Sequence, residues 1–145
     1  MHYADFADGF ILKIEREEEV HQVLTGFANQ KRIPSAFYHG IGALKEISLG
    51  YFDVQKKDYL SQKFSESYEL LSLQGNLSFV EGAYFPHTHV VLSNGNYQTI
   101  GGHLFSGVVS VTVELFFFPI DIALERKSNV KLNFKELDLA HHFSE

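Results

Sequence analysis

One stretch of this chain carries the clearest helical periodicity, and it limits the fold more than any other feature. Across residues 17–30 the apolar side chains Val20, Val23, Leu24, Phe27 and Ala28 share one stripe, while Glu18, Gln22 and Asn29 face away from it. Glu17, Glu18 and Glu19 stand where a helix dipole favours anions, Lys31 and Arg32 stand where it favours cations, and Pro34 blocks continuation. The spacing predicts a helix over about 17–31.

Almost everything else reads as strand. Residues 10–14 precede the helix and 35–39 follow it, leading into Gly40-Ile41-Gly42-Ala43, whose glycines imply a bend or a close backbone contact. A right-handed crossover would set those two strands parallel in one sheet. Further strand candidates are 47–54, 59–65, 68–73, 76–80, 87–92, 97–104 and 108–118, each rich in β-branched or aromatic residues, with 130–139 as a final strand or edge element. The expected class is α+β, a mostly antiparallel, barrel-like sheet with few helices. With 45% apolar residues, the 145-residue chain can bury one continuous core, so a single domain over 1–145 is expected. Phe116-Phe117-Phe118 would put rings on both faces of a strand, which calls for cover on both sides, from this chain or from another subunit.

The chain has no cysteine, so disulfides and thiolate metal sites are excluded, and a transition-metal site has to use histidine, carboxylate and water. Its start lacks the basic head and apolar run of a signal peptide, and no apolar run approaches the roughly 20 residues of a membrane helix. A soluble, cytoplasmic protein with no membrane partner is expected. The 12 basic residues are outnumbered by 18 acidic ones, for a formal charge of -6. Duplex DNA binding draws its non-specific affinity from Lys and Arg on phosphates, so direct DNA binding starts at a disadvantage. Lys56-Lys57 and Arg126-Lys127 read as solvated surface charge and Lys31-Arg32 as a helix end.

Three of the eight histidines form a constellation. His87 and His89 are two residues apart and so project from one face of a strand. If Asn94-Gly95-Asn96 is a three-residue hairpin loop, Ser93 faces Tyr97 and His87 falls opposite His103. Opposed β-carbons are roughly 4.5–5.5 Å apart, close enough for imidazoles to converge on one ion. A two-residue loop would instead send His103 to the other face, unless a bulge at Gly101-Gly102 restored it. The expected metal ligands are therefore His87, His89 and His103, around zinc or another divalent transition metal. His2, His141 and His142 are terminal, His21 lies beside the helix stripe, and His39 precedes a glycine turn. The nucleotide-binding glycine loops and the serine-nucleophile elbow are missing, and no catalytic residue is assigned. Glu69 and Glu114 interrupt apolar strands, where an outward-facing position explains each as well as a functional one.

Four segments, in order, resemble the PPC (plants and prokaryotes conserved) domain family. These are Phe37-Tyr38-His39-Gly40-Ile41-Gly42-Ala43-Leu44, Tyr68-Glu69-Leu70-Leu71-Ser72-Leu73-Gln74-Gly75-Asn76, His87-Thr88-His89 and Gly101-Gly102-His103-Leu104. The resemblance implies a compact α+β domain that assembles as a homotrimer, with metal bound by the His-x-His and Gly-Gly-His-Leu segments near subunit contacts. It also implies a regulatory or DNA-associated role. In the plant members DNA contact comes from an AT-hook, and this chain contains no Arg-Gly-Arg. The same fold grouping includes acetolactate decarboxylase, which likewise holds zinc with three histidines. That analogy supports an alternative, a zinc-dependent lyase or hydrolase acting on a small anionic metabolite, with Glu69, Glu114 or Arg16 as candidate partners.

Overall fold

The computed structural model describes residues 1–139. The helical stripe becomes α1 (Val20–Lys31), which starts later than the periodicity suggests because the glutamates before it act as cap and clamp. Glu19 is the N-cap, its carboxylate accepting from the Gln22 N–H at 2.8 Å. The Glu18 carboxylate receives the Met1 amine and the Glu15 N–H, each at 2.8 Å. Arg32 closes the helix in the left-handed conformation, φ 57°, and its N–H reaches the Asn29 carbonyl at 3.2 Å.

The strands are β1 (His2–Phe6), β2 (Gly9–Glu15), β3 (Ser35–Asp53), β4 (Asp58–Phe64), β5 (Tyr68–Val80), β6 (Ala83–Ser93), β7 (Thr99–Ile120), β8 (Glu125–Asn129) and β9 (Phe134–Asp138). Both β2 and β3 run antiparallel to β7 on its two sides, so they are parallel to each other as the crossover requires, with β7 inserted between them. From β7 the ladder passes through β3, β5 and β6, and β6 pairs β7 again, giving the barrel-like closure expected of the sheet.

Several boundaries differ from the sequence expectation. The segments 35–39 and 47–54 are one long strand, as are 68–73 with 76–80 and 97–104 with 108–118. Glycine had suggested breaks, but here it permits close packing within unbroken ladders. Gly42, at φ 156°, lies where any Cβ would strike the Thr112 carbonyl oxygen, and the β3 register slips on either side of it. Within 130–139 the expected final edge strand is present but shorter, as β9 at the end of the sheet, and the residues before it turn the chain back from β8. Asn129 Oδ1 accepts from Lys131 N at 3.1 Å and Leu132 N at 3.3 Å, turning the chain between β8 and β9.

The core lies between α1 and the inner face of the sheet, where Leu24, Phe27, Tyr38, Leu73, Leu115 and Phe117 are buried. The triple phenylalanine divides as alternation demands. Phe117 is buried against Phe27 and Tyr38, at ring distances of 5.5 and 6.2 Å, whereas Phe116 lies 42% exposed on the other face beside His39. That outer face also carries Phe37, Ile41, Leu71, Val91 and Val111, all exposed. No helix among the described residues is long and apolar enough to cross a membrane.

Phe117→Ala should cost about 3–5 kcal/mol, because it removes a buried ring from a position closed in by two aromatic neighbours. Urea unfolding checks this, and a loss below about 1 kcal/mol would mean the core is not packed as described.

Candidate metal centre

Strand alternation builds the site. On β6, His87 and His89 face one side and Thr88 faces the other, where it is fully buried. Thr88 Oγ1 lies 2.7 Å from the Tyr38 hydroxyl and 2.8 Å from His21 Nε2, and His21 also bonds the backbone at Phe105. One assignment satisfies all of these contacts: the Tyr38 O–H donates to Thr88, Thr88 donates to His21 Nε2, and His21 Nδ1–H donates to the Phe105 carbonyl. Burial lowers the His21 pKa, which agrees with the neutral ring this chain requires. His21, set aside in the sequence, thus ties α1 to both histidine-bearing strands from behind.

The hairpin between β6 and β7 is wider than expected. Ser93 pairs Thr99 rather than Tyr97, and His103 pairs His89 rather than His87. The loop spans 94–98 because Asn94 organises it: its side-chain oxygen accepts from Asn96 N and Gln98 N, each at 3.0 Å, and Tyr97 turns with φ 62°. A displacement of two residues preserves the face, so the corrected register still delivers His103 to His87 and His89. The ring centroids are 5.2 Å apart for His87–His89, 5.2 Å for His87–His103 and 5.5 Å for His89–His103. One ring nitrogen from each lies within 4.8 Å of the others, a set able to hold a metal ion.

Electrostatics suit the same use. Burial, reinforced by Arg126, pushes His87 down to about 4, and burial, reinforced by the neighbouring imidazoles, pushes His103 down to about 4. Both are neutral at pH 7 and offer lone pairs. His103 is 7% exposed, and its Nδ1 is buried with no hydrogen-bond partner among the described residues, an arrangement that costs free energy unless something occupies it. Three imidazoles, an orphaned buried nitrogen and no thiolate together fit an ion of the zinc type. Gly101 and Gly102 serve strand packing: a Cβ on either would run into the carbonyl oxygen of Val90 or Gly50.

Three residues of the site were not singled out in the sequence: Arg126, Tyr59 and Phe134. Arg126, expected on the solvated surface, is only 9% exposed, whereas Lys127 faces outward to Asp138 at 3.0 Å. Alternation along Glu125-Arg126-Lys127 was the available clue, since one of three successive charges on a strand must face the opposite side. Arg126 donates through Nε to Ser78 Oγ at 2.8 Å, through Nη1 to the Lys135 carbonyl at 3.0 Å, and through Nη2 to Asn76 Oδ1 at 2.8 Å and His87 Nδ1 at 3.1 Å. With His87, His103, Tyr59 and Phe134 it lines a cavity of about 250 Å³, and a wider cleft of about 500 Å³ reaches His89 as well. Glu69 and Glu114 line a different groove, with Ile41 and Val111, and Arg16 pairs Glu17 at 3.1 Å on the surface. None of these three joins the histidines. His39 stacks on Phe116, His2 lies 3.5 Å from Glu15, and His141 and His142 fall outside the described residues.

The profile of the Plants and Prokaryotes Conserved (PCC) domain matches residues 1–121. A crystal structure described as a putative DNA-binding protein from Bacteroides thetaiotaomicron is 27% identical, with 96% of this chain and 97% of that one covered and a TM-score of 0.90. A metal-containing protein from Archaeoglobus fulgidus is 32% identical over 94% of this chain and 99% of its own, with a TM-score of 0.83. Acetolactate decarboxylase from Bacillus subtilis subspecies spizizenii shares the fold alone, at 14% identity and a TM-score of 0.50 over 92% of this chain and 62% of that one. No curated protein matches the chain.

For a histidine whose folded pKa lies near 4 against an ordinary 6.5, the unfolded chain binds more protons between those values. Stability of chelator-stripped protein is therefore complete above pH 6.5 and lost as pH falls toward 4. Thermal melts at pH 7 and pH 5 should show that drop, and the His87→Gln, His103→Gln double variant should flatten it. An unchanged slope in the variant would contradict the shifts.

Proposed function

This chain belongs to the Plants and Prokaryotes Conserved (PCC) domain family, and from that premise we propose that it is a zinc-binding domain acting in the cytoplasm as a homotrimer. The reading rests on three imidazole nitrogens within 4.8 Å of one another on paired strands, and the metal-containing relative from Archaeoglobus fulgidus supports it. His87, His89 and His103 would hold the ion, leaving a position open. When bound, such an ion supplies a Lewis acid that polarises an oxygen donor.

The apolar outer face supports the trimer. Ile41, Val111 and Leu71 are 59%, 66% and 50% exposed in the single chain, a patch that a second copy would cover. A trimer would carry a formal charge of roughly −18, three times that of the chain, which opposes direct duplex binding; the role is regulatory, with any DNA association indirect. The second reading, a zinc-dependent lyase or hydrolase acting on a small anionic metabolite, is favoured by the Arg126-lined cavity beside His87.

Elemental analysis of purified protein should find one zinc per chain, falling to a small fraction in His87→Ala, His89→Ala and His103→Ala. Full occupancy in all three variants would put the site elsewhere. Sedimentation equilibrium should return a three-chain particle, and that particle should leave mixed-sequence duplex DNA unbound at about 150 mM salt. A monomer, or tight binding that weakens steeply with added salt, would overturn the corresponding part of the reading.

A further inference from the structure

Among the described residues, Arg126 is a buried cation with no acidic side chain bonded to it. Its four hydrogen-bond partners among the described residues, Ser78, Asn76, the Lys135 carbonyl and His87, are all neutral. Buried guanidinium groups are ordinarily paired, because desolvation of the charge is costly unless an anion compensates it. Here the guanidinium borders a cavity of about 250 Å³ whose other walls include Tyr59, Phe85, Phe105 and Phe134. Its carbon centre stands 5.1 Å from the Phe85 ring. A cation at one end of an aromatic-walled cavity suits a small carboxylate with an apolar body.

The contact with His87 links that cavity to the metal centre. Arginine has donors only, so at 3.1 Å its Nη2 donates to His87 Nδ1, and the neutral ring keeps its proton on Nε2. A metal ligand needs the lone pair that one of these two arrangements withholds. Binding an ion through Nδ1 displaces Arg126 directly. Binding it through Nε2 moves the ring proton to Nδ1, where it opposes the same guanidinium. On either route the Arg126–His87 hydrogen bond is lost, and a fixed positive charge remains beside an arriving cation.

We propose that Arg126 couples metal loading to a small organic carboxylate: the anion takes the N–H that Arg126 releases from His87, so carboxylate and metal bind cooperatively. This rests on the metal-binding reading above and names the ligand class of the same site. By linkage the coupling is reciprocal, and a factor of about ten is typical of such pairs.

The test is a zinc titration of the chelator-stripped full chain, by competition with a chromophoric chelator, with and without benzoate, for wild type and Arg126→Met. Wild type should bind zinc at least about tenfold more tightly with benzoate than without, and inorganic phosphate should give a smaller gain. Arg126→Met should bind zinc more tightly than anion-free wild type and should not respond to benzoate. Equal zinc affinity in wild type with and without benzoate would overturn the coupling while leaving the metal centre standing. Failure to bind zinc under every condition would overturn both. An undiminished benzoate effect in Arg126→Met would remove the role given to this residue, and the wild-type comparison decides even if that variant does not fold.

Discussion

Thr88 holds the site in place from the side opposite the site. Its hydroxyl is fully buried between Tyr38 and His21, so rotating β6 to turn His87 and His89 inward would strand Thr88, the Tyr38 hydroxyl and His21 without partners. Each buried polar group so orphaned would cost about 1–3 kcal/mol. The orientation of the two imidazoles is thus enforced by the core, whether or not an ion is bound. The same contact carries α1, since His21 sits on the helix and bonds back to the strand that bears His103.

With β6 fixed, the placement of the third histidine depends on register. The Asn94 loop sets it, and because the offset from the simplest hairpin is even, His103 arrives on the correct face. Below it, Gly50 leaves room for the rings of Tyr59 and Phe105, which stand 5.1 and 5.0 Å from His103. The C-terminal hairpin, joined to β5 through Phe79 and Glu125, then brings Arg126 and Phe134 over the histidines. The matched family profile ends at residue 121, so this hairpin lies beyond it. The three histidines fall within the matched segment, whereas Arg126 and Phe134 follow it in the chain.

How much was legible follows from the range of each interaction. Helix periodicity, strand composition and the His-x-His spacing are local, and they gave α1, the β character of the sheet and two of the clustered histidines. The third histidine was found through hairpin parity although the partner assigned to it was off by two, because Asn94 widens a loop that short-range rules leave open. Strand lengths failed where glycine served packing across strands, as at Gly42 against Thr112, since the contact that explains the glycine lies some seventy residues away in the chain. Arg126 was misread for the same reason: its partners Asn76, Ser78 and His87 belong to other strands, and next to Lys127 it looked like solvated charge.

The central claim is that His87, His89 and His103 hold one ion together. X-ray absorption at the zinc edge, on protein loaded with one equivalent, tests it most directly because it counts ligands without relying on variants. The account predicts a four-coordinate centre with three imidazole nitrogens at about 2.0–2.1 Å and the outer-shell scattering of the rings. A first shell of oxygens alone, or a single imidazole, would contradict it.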